Sequence, residues 1–221
     1  MSFFDLTNRD DRFEITPGLL SVFPGGVRSL DGNDAVIGSD GSDTISGNLG
    51  NDSLTGAAGP DVLTGGRQQD TLDGGGDGDR LFGNRGEDLL LGGDGADLIH
   101  GGRAQDVLDG GAGNDTLWGD FGEDTVRGGA GADVFVLRPD TPEADIIEDW
   151  DFNVDRIGLA FGLTVDQIQA VPLNDPAAAA EGAAPPPTGV RLQLNTTGQI
   201  LAVVLTGRVA EFTNPTRFLE F

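Results

Sequence analysis

Twelve aspartates stand nine residues apart without a break: Asp34, Asp43, Asp52, Asp61, Asp70, Asp79, Asp88, Asp97, Asp106, Asp115, Asp124 and Asp133. A carboxylate returning at one fixed period supplies a regular array of hard oxygen donors, which is the chemistry of divalent-cation binding. Two positions after each aspartate comes an apolar residue: Val36, Ile45, Leu54, Leu63, Leu72, Leu81, Leu90, Ile99, Leu108, Leu117, Val126 and Phe135. A glycine recurs in the same period from Gly38 to Gly128. The unit therefore reads Gly-x-x-Gly-x-Asp-x-apolar-x, as in GSDGSDTIS from Gly38, GGDGADLIH from Gly92 and GGAGNDTLW from Gly110.

Each part of the unit has a mechanical role. Gly32, Gly41, Gly50, Gly59, Gly86, Gly95, Gly113, Gly122 and Gly131 lie two residues before an aspartate, where a tight turn needs positive φ or close backbone approach. The three residues after the aspartate form a short strand whose middle, apolar side chain points inward. One unit cannot bury a core alone. Two units make one coil of eighteen residues in a flattened parallel β solenoid, and stacked coils align the apolar residues into a thin core. The expected fold is all-β: a parallel β-roll over 29–136, an N-terminal cap over 1–28 and a C-terminal antiparallel capping sheet within 137–221.

Stacking also places each aspartate about 4.8 Å from the one eighteen residues away. Like charges that close call for a counter-ion. Carboxylates combined with turn carbonyls offer an all-oxygen environment, which suits Ca²⁺ better than metals that favour imidazole or thiolate, and the chain has no Cys and one His. Six turns on each edge leave five gaps, so several Ca²⁺ ions, up to roughly ten, are expected.

At these residues the chain resembles the RTX family, bacterial proteins with haemolysin-type calcium-binding repeats that fold as parallel β-rolls. The resemblance covers 29–136. It implies Ca²⁺ held between successive turns by the twelve aspartates and backbone carbonyls, folding that waits for Ca²⁺, and type I export through an uncleaved C-terminal signal. The last residues, TRFLEF, are similar to the apolar and acidic ends of such exports, and an ordinary terminal strand accounts for them equally well.

The charge agrees. The chain of 221 residues carries a net −24, and its thirteen basic residues are all Arg, so nucleic acid is excluded as a partner. The repeat region has 21 acidic residues against five Arg, a net −16 that about ten divalent ions would bring near neutrality. No run is long enough to span a membrane, and the N-terminus lacks the basic and apolar regions of a Sec signal. Extracellular or cell-surface localisation by type I secretion is therefore expected. A cytoplasmic calcium buffer is the less favoured alternative.

The flanks punctuate differently. Residues 1–28 hold Phe3, Phe4, Phe13, Ile15 and Phe23 between turn breakers, as an irregular or strand-like first coil would. Strand-like runs follow the roll at 134–137, 145–150, 156–161, 190–194, 200–205 and 217–221. Thr164-x-x-Gln167 reads as a capping box opening a short helix over 162–169, and a flexible loop is expected near 172–189.

The repeats differ between edges. On one edge Arg67, Arg85 and Arg103 stack a coil apart and glycine is lost at Gln68 and Ala104, which predicts fewer or weaker ions there. Outward positions Phe82, His100 and Trp118 form an apolar strip, covered by a cap or left as a patch for self-association or a cell-surface partner. HExxH, GxSxG, a Cys nucleophile and a P-loop are all missing, and 28 residues before the repeats leave no room for an enzyme domain. Two functions compete: a calcium-binding, non-enzymatic structural protein, and a calcium-stabilised scaffold that binds a partner through the strip.

Overall fold

A computed structural model describes residues 2–16, 18–19, 23, 25–140, 143–151, 153–173, 189–205 and 217–220. After each turn the chain runs extended, crosses the molecule, turns at the next aspartate and returns. The first short strands are β1 (Phe4–Asp5), β2 (Arg12–Glu14), β3 (Val27–Arg28) and β4 (Ala35–Ile37). Ten strands of six residues follow: β5 (Thr44–Leu49), β6 (Ser53–Ala58), β7 (Val62–Arg67), β8 (Thr71–Gly76), β9 (Arg80–Arg85), β10 (Leu89–Asp94), β11 (Leu98–Arg103), β12 (Val107–Ala112), β13 (Thr116–Phe121) and β14 (Thr125–Ala130). The series ends with β15 (Val134–Leu137), β16 (Asp145–Ile147), β17 (Arg156–Leu159), β18 (Ile168–Pro172), β19 (Val190–Leu194), β20 (Ile200–Val204) and β21 (Phe218–Glu220).

Alternate strands build opposite walls. One sheet has the order β1-β3-β5-β7-β9-β11-β13-β15-β17-β21, and the other has β18-β19-β20-β16-β14-β12-β10-β8-β6-β4-β2. Within the roll all pairing is parallel and joins residues eighteen apart, as in Leu72↔Leu90↔Leu108 and Leu81↔Ile99↔Leu117. The inner strands are twice the expected three residues. Backbone pairing continues through the positions after the inward residue, for example Asn48↔Gly66 and Gly75↔Gly93, and only the next three residues turn.

The twelve apolar residues are 0–3% exposed and form one unbroken core between the sheets. Along each wall a Leu, Ile or Val meets its equivalent one coil away, so the core is a single layer of side chains from each sheet. Both caps extend it. Phe4 stacks on Phe13 at 5.0 Å and meets Phe23 edge-on at 5.3 Å, while Phe135 packs against Trp150 at 5.6 Å.

The C-terminal region is more continuous with the roll than a separate capping sheet would be. β15, β16, β17 and β21 pair in parallel with their neighbours, β20 pairs in parallel with β16, and the antiparallel part is confined to β18-β19-β20. The expected helix shrinks to a 3-10 turn at Val165–Gln167, where Gln167 Oε1 accepts the Thr164 N–H at 3.0 Å. Helix cannot continue, because Ile168–Pro172 is drawn into pairing with β19. Most of the expected loop, 174–188, lies outside the described residues, as does 206–216. The terminal segment is a strand where described, with Phe218 to Glu220 paired to β17. Among the described residues no helix is long and apolar enough to cross a membrane.

Two left-handed positions recur in each of the ten turns from Asn48 and Gly50 to Gly129 and Gly131. Gln68 and Ala104 keep φ of 77° and 86° although neither is glycine, so the conformation is imposed by stacking against neighbouring coils. A non-glycine residue held there costs about 1–2 kcal/mol. Ala104→Gly is therefore expected to raise stability by about 1 kcal/mol in urea unfolding with Ca²⁺ present. Leu90→Ala, which empties the centre of the core, is expected to lose about 2–5 kcal/mol in the same assay.

Candidate metal centre

The turns deliver all twelve predicted aspartates to two ladders. Asp34, Asp52, Asp70, Asp88, Asp106 and Asp124 line one edge; Asp43, Asp61, Asp79, Asp97, Asp115 and Asp133 line the other. In eleven of them one carboxylate oxygen accepts a backbone N–H from the coil before, and Asp43 Oδ2 accepts the Ser39 N–H of its own turn instead. Asp52 N–H donates to Asp70 Oδ1 at 2.9 Å, Asp70 N–H to Asp88 Oδ1 at 2.7 Å and Asp97 N–H to Asp115 Oδ1 at 2.8 Å. These charge-assisted bonds fix the side chains in one orientation.

The remaining oxygen is the informative one. In each of the twelve it is buried without a hydrogen-bond partner, in residues that are 0–3% exposed. Burying an unpaired charge is costly unless a proton or a cation compensates it. Beside the unpartnered oxygen of the ten aspartates from Asp52 to Asp133 lies a glycine of the series, Gly47 to Gly128. A Cβ added to Gly83 would stand 2.5 Å from both Asp88 Oδ2 and the Gly101 carbonyl oxygen; at Gly56 the distances are 2.2 Å to Asp61 Oδ2 and 2.5 Å to the Gly74 carbonyl. A carboxylate oxygen and a carbonyl oxygen of the next coil thus converge on a space that glycine alone leaves open. The sequence displays this glycine, but its role emerges only from the stacking.

Such a donor set is hard, oxygen-only and repeated, which fits Ca²⁺. No three Asp, Glu or His side chains come together among the described residues, so an ion here would be shared between carboxylates and backbone carbonyls. His100 plays no part: its Nδ1 lies 2.9 Å from Asp120 Oδ2 on the outer face.

Burial raises the carboxyl groups. It pushes Asp52, Asp79, Asp88 and Asp124 up to about 6, Asp61, Asp70 and Asp115 to about 7, and Asp106 to about 8. Neighbouring carboxylates add to the rise at Asp61, Asp70, Asp106 and Asp115.

The ladders run past the repeats. Asp11 N–H donates to Asp34 Oδ1 at 2.7 Å, Asp124 N–H to Asp145 Oδ1 at 3.4 Å and Asp133 N–H to Asp155 Oδ1 at 3.0 Å. Asp145 and Asp155 escape a nine-residue search because they sit 21 and 22 residues after their partners. Their signal was the local Asp-x-apolar triplet, with buried Ile147 and Ile157 two positions on.

Of the nine turn glycines, eight have positive φ, between 91° and 154°; Gly41 does not. Arg67, Arg85 and Arg103 pair one coil apart in the backbone register, are exposed, and make no ion pair among the described residues. They leave the adjoining rungs unneutralised. Phe82, His100 and Trp118 do align, with ring centroids 5.5 and 5.3 Å apart and planes within 20°. Their faces cover one another, and Phe161 closes the end of the stack edge-on to Trp118 at 6.5 Å.

In the metal-free protein the raised groups hold protons that the unfolded chain releases near 3.8. Their contribution is complete below that value and is lost as pH rises through about 6 to 8. The strand content of the metal-free protein, read by far-UV circular dichroism, should therefore fall from pH 5 to pH 8.5, and the gain produced by Ca²⁺ should be larger at the higher pH. A flat or increasing metal-free profile would contradict protonated rungs.

Comparison with curated proteins gives no match. The family model of the RTX calcium-binding nonapeptide repeat (4 copies) matches residues 29–63, 46–81, 55–90, 73–108 and 100–135. Those matches span the turns that carry all twelve buried carboxylates, and the repeat segment of this chain, residues 29–135, belongs to the RTX calcium-binding repeat family.

Proposed function

We propose that this chain is a non-enzymatic structural protein whose β-roll folds or rigidifies when Ca²⁺ binds at the rungs, after export by a type I pathway to the cell surface or medium. The observation that carries the reading is the set of twelve buried, unpartnered carboxylate oxygens, seven of which, at Asp52, Asp61, Asp79, Asp88, Asp97, Asp106 and Asp115, share the space over a glycine with a carbonyl of the next coil. Bound Ca²⁺ supplies the positive charge that lets neighbouring coils stack. The chain supplies the rest: Oδ1 fixes the carboxylate to the preceding coil, glycine keeps the space open, and the Leu and Ile core sets the spacing. With a net −16 over the repeats, unfilled rungs repel one another, so binding and folding are linked by mass action.

Export is supported by the same linkage. A roll that needs abundant Ca²⁺ stays loose where the free ion is scarce and closes where it is plentiful. The absence of an enzyme role is supported by the uniformity of the rungs, which single out no carboxylate pair for acid and base work.

Far-UV circular dichroism after chelator treatment tests the proposal directly. Ca²⁺ titration should give a cooperative coil-to-strand transition that Mg²⁺ at the same concentration does not. A chain already folded in chelator would overturn the folding switch. Equilibrium dialysis should count fewer than about ten ions, with the Arg67, Arg85 and Arg103 edge less filled; a count of ten or more would remove that asymmetry.

A further inference from the structure

The ends of the ladders are not built alike. At the start of the first edge, Ser29 stands where later coils have glycine, and its Oγ donates to the Gly47 carbonyl at 2.9 Å. A hydroxyl occupies the space there. At the end of the second edge, Asp155 spends both oxygens on backbone donors, Asp133 N–H at 3.0 Å and Asp151 N–H at 2.7 Å, while Asp149 accepts Gly128 N–H at 3.0 Å and Gly129 N–H at 2.8 Å. Asp133 Oδ2 is unpartnered there too, but the carboxylate that follows it has both oxygens taken by the backbone.

The end of the first edge is different. Asp124 is fully buried with Oδ2 unpartnered, and the oxygen that faces it across the Gly119 space is a carboxylate rather than a carbonyl. A Cβ on Gly119 would lie 2.4 Å from Asp124 Oδ2 and 3.0 Å from Asp145 Oδ1. The bond tying Asp145 to the preceding coil is 3.4 Å, longer than the 2.7–3.0 Å of the regular rungs. Two opposed carboxylates with no fixed cation between them make a stronger demand for a divalent ion than a carboxylate and a carbonyl do.

We propose that Asp124 and Asp145 form a further Ca²⁺ site beyond the nonapeptide register, which clamps the C-terminal strands to the roll. The ion would join β14 to β16, the pair on which β20, β19 and β18 are built in turn. This inference rests on the calcium reading above, and its test separates the two.

Full-length wild type, Asp145→Asn and Asp155→Asn are compared by equilibrium dialysis with Ca²⁺ and by thermal unfolding at pH 8 with the ion. Asn keeps the Oδ1 acceptor in both variants. Asp145→Asn should bind about one equivalent fewer than wild type, and Asp155→Asn the same number as wild type. With Ca²⁺ present, Asp145→Asn should also melt below wild type. Equal stoichiometry in Asp145→Asn and wild type overturns the site while leaving the rungs intact. A wild type that binds no Ca²⁺ defeats the underlying reading instead.

Discussion

Everything in this molecule depends on one conflict: carboxylates stacked a single coil apart inside a protein wall. Parallel pairing of residues eighteen apart makes the spacing unavoidable, because the same register that aligns Leu72, Leu90 and Leu108 also aligns the aspartates beside them. Half of each carboxylate is satisfied by the backbone, as when Asp88 Oδ1 accepts the Asp70 N–H at 2.7 Å. The other half is left for a proton or a metal. Apolar packing and charge compensation therefore meet in the same coil, and neither could be altered without moving the other.

The division of labour explains why the core is so thin. A single column of Leu, Ile and Val from each sheet is less than a globular domain of this length would bury, and aromatic pairs add to it at the ends, Phe4 with Phe13 and Phe135 with Trp150. Such a solenoid gains its stability from neighbours in one dimension. A cation held at one rung would act on the interface between its two coils, so a small gain per rung would be multiplied along the stack.

Much of this was legible in the residues. The inward position of Leu63 or Ile99 follows from its place two after an aspartate, and the ladder itself is visible as a period. Three things were not. Strands such as Val62–Arg67 run longer than the pattern suggests, since pairing through Gly66 is a property of the stack and leaves no mark in one repeat. Asp145 and Asp155 left the period when the connecting loops lengthened, although their Asp-x-Ile triplets persisted. The capping strands look like a separate antiparallel sheet in sequence, whereas β16, β17, β20 and β21 inherit the parallel direction of the walls they extend.

The alternation of edges also sets the grain in which this chain can change length. Adding or deleting eighteen residues restores every side chain to its own column and alters only the height of the stack. A change of nine would send all later coils across the molecule: Asp106 would fall into line with Asp97, the Arg column would break, and the rings of His100 and Trp118 would part company with Phe82. The working module is thus the whole coil, even though the smallest visible repeat is half of one.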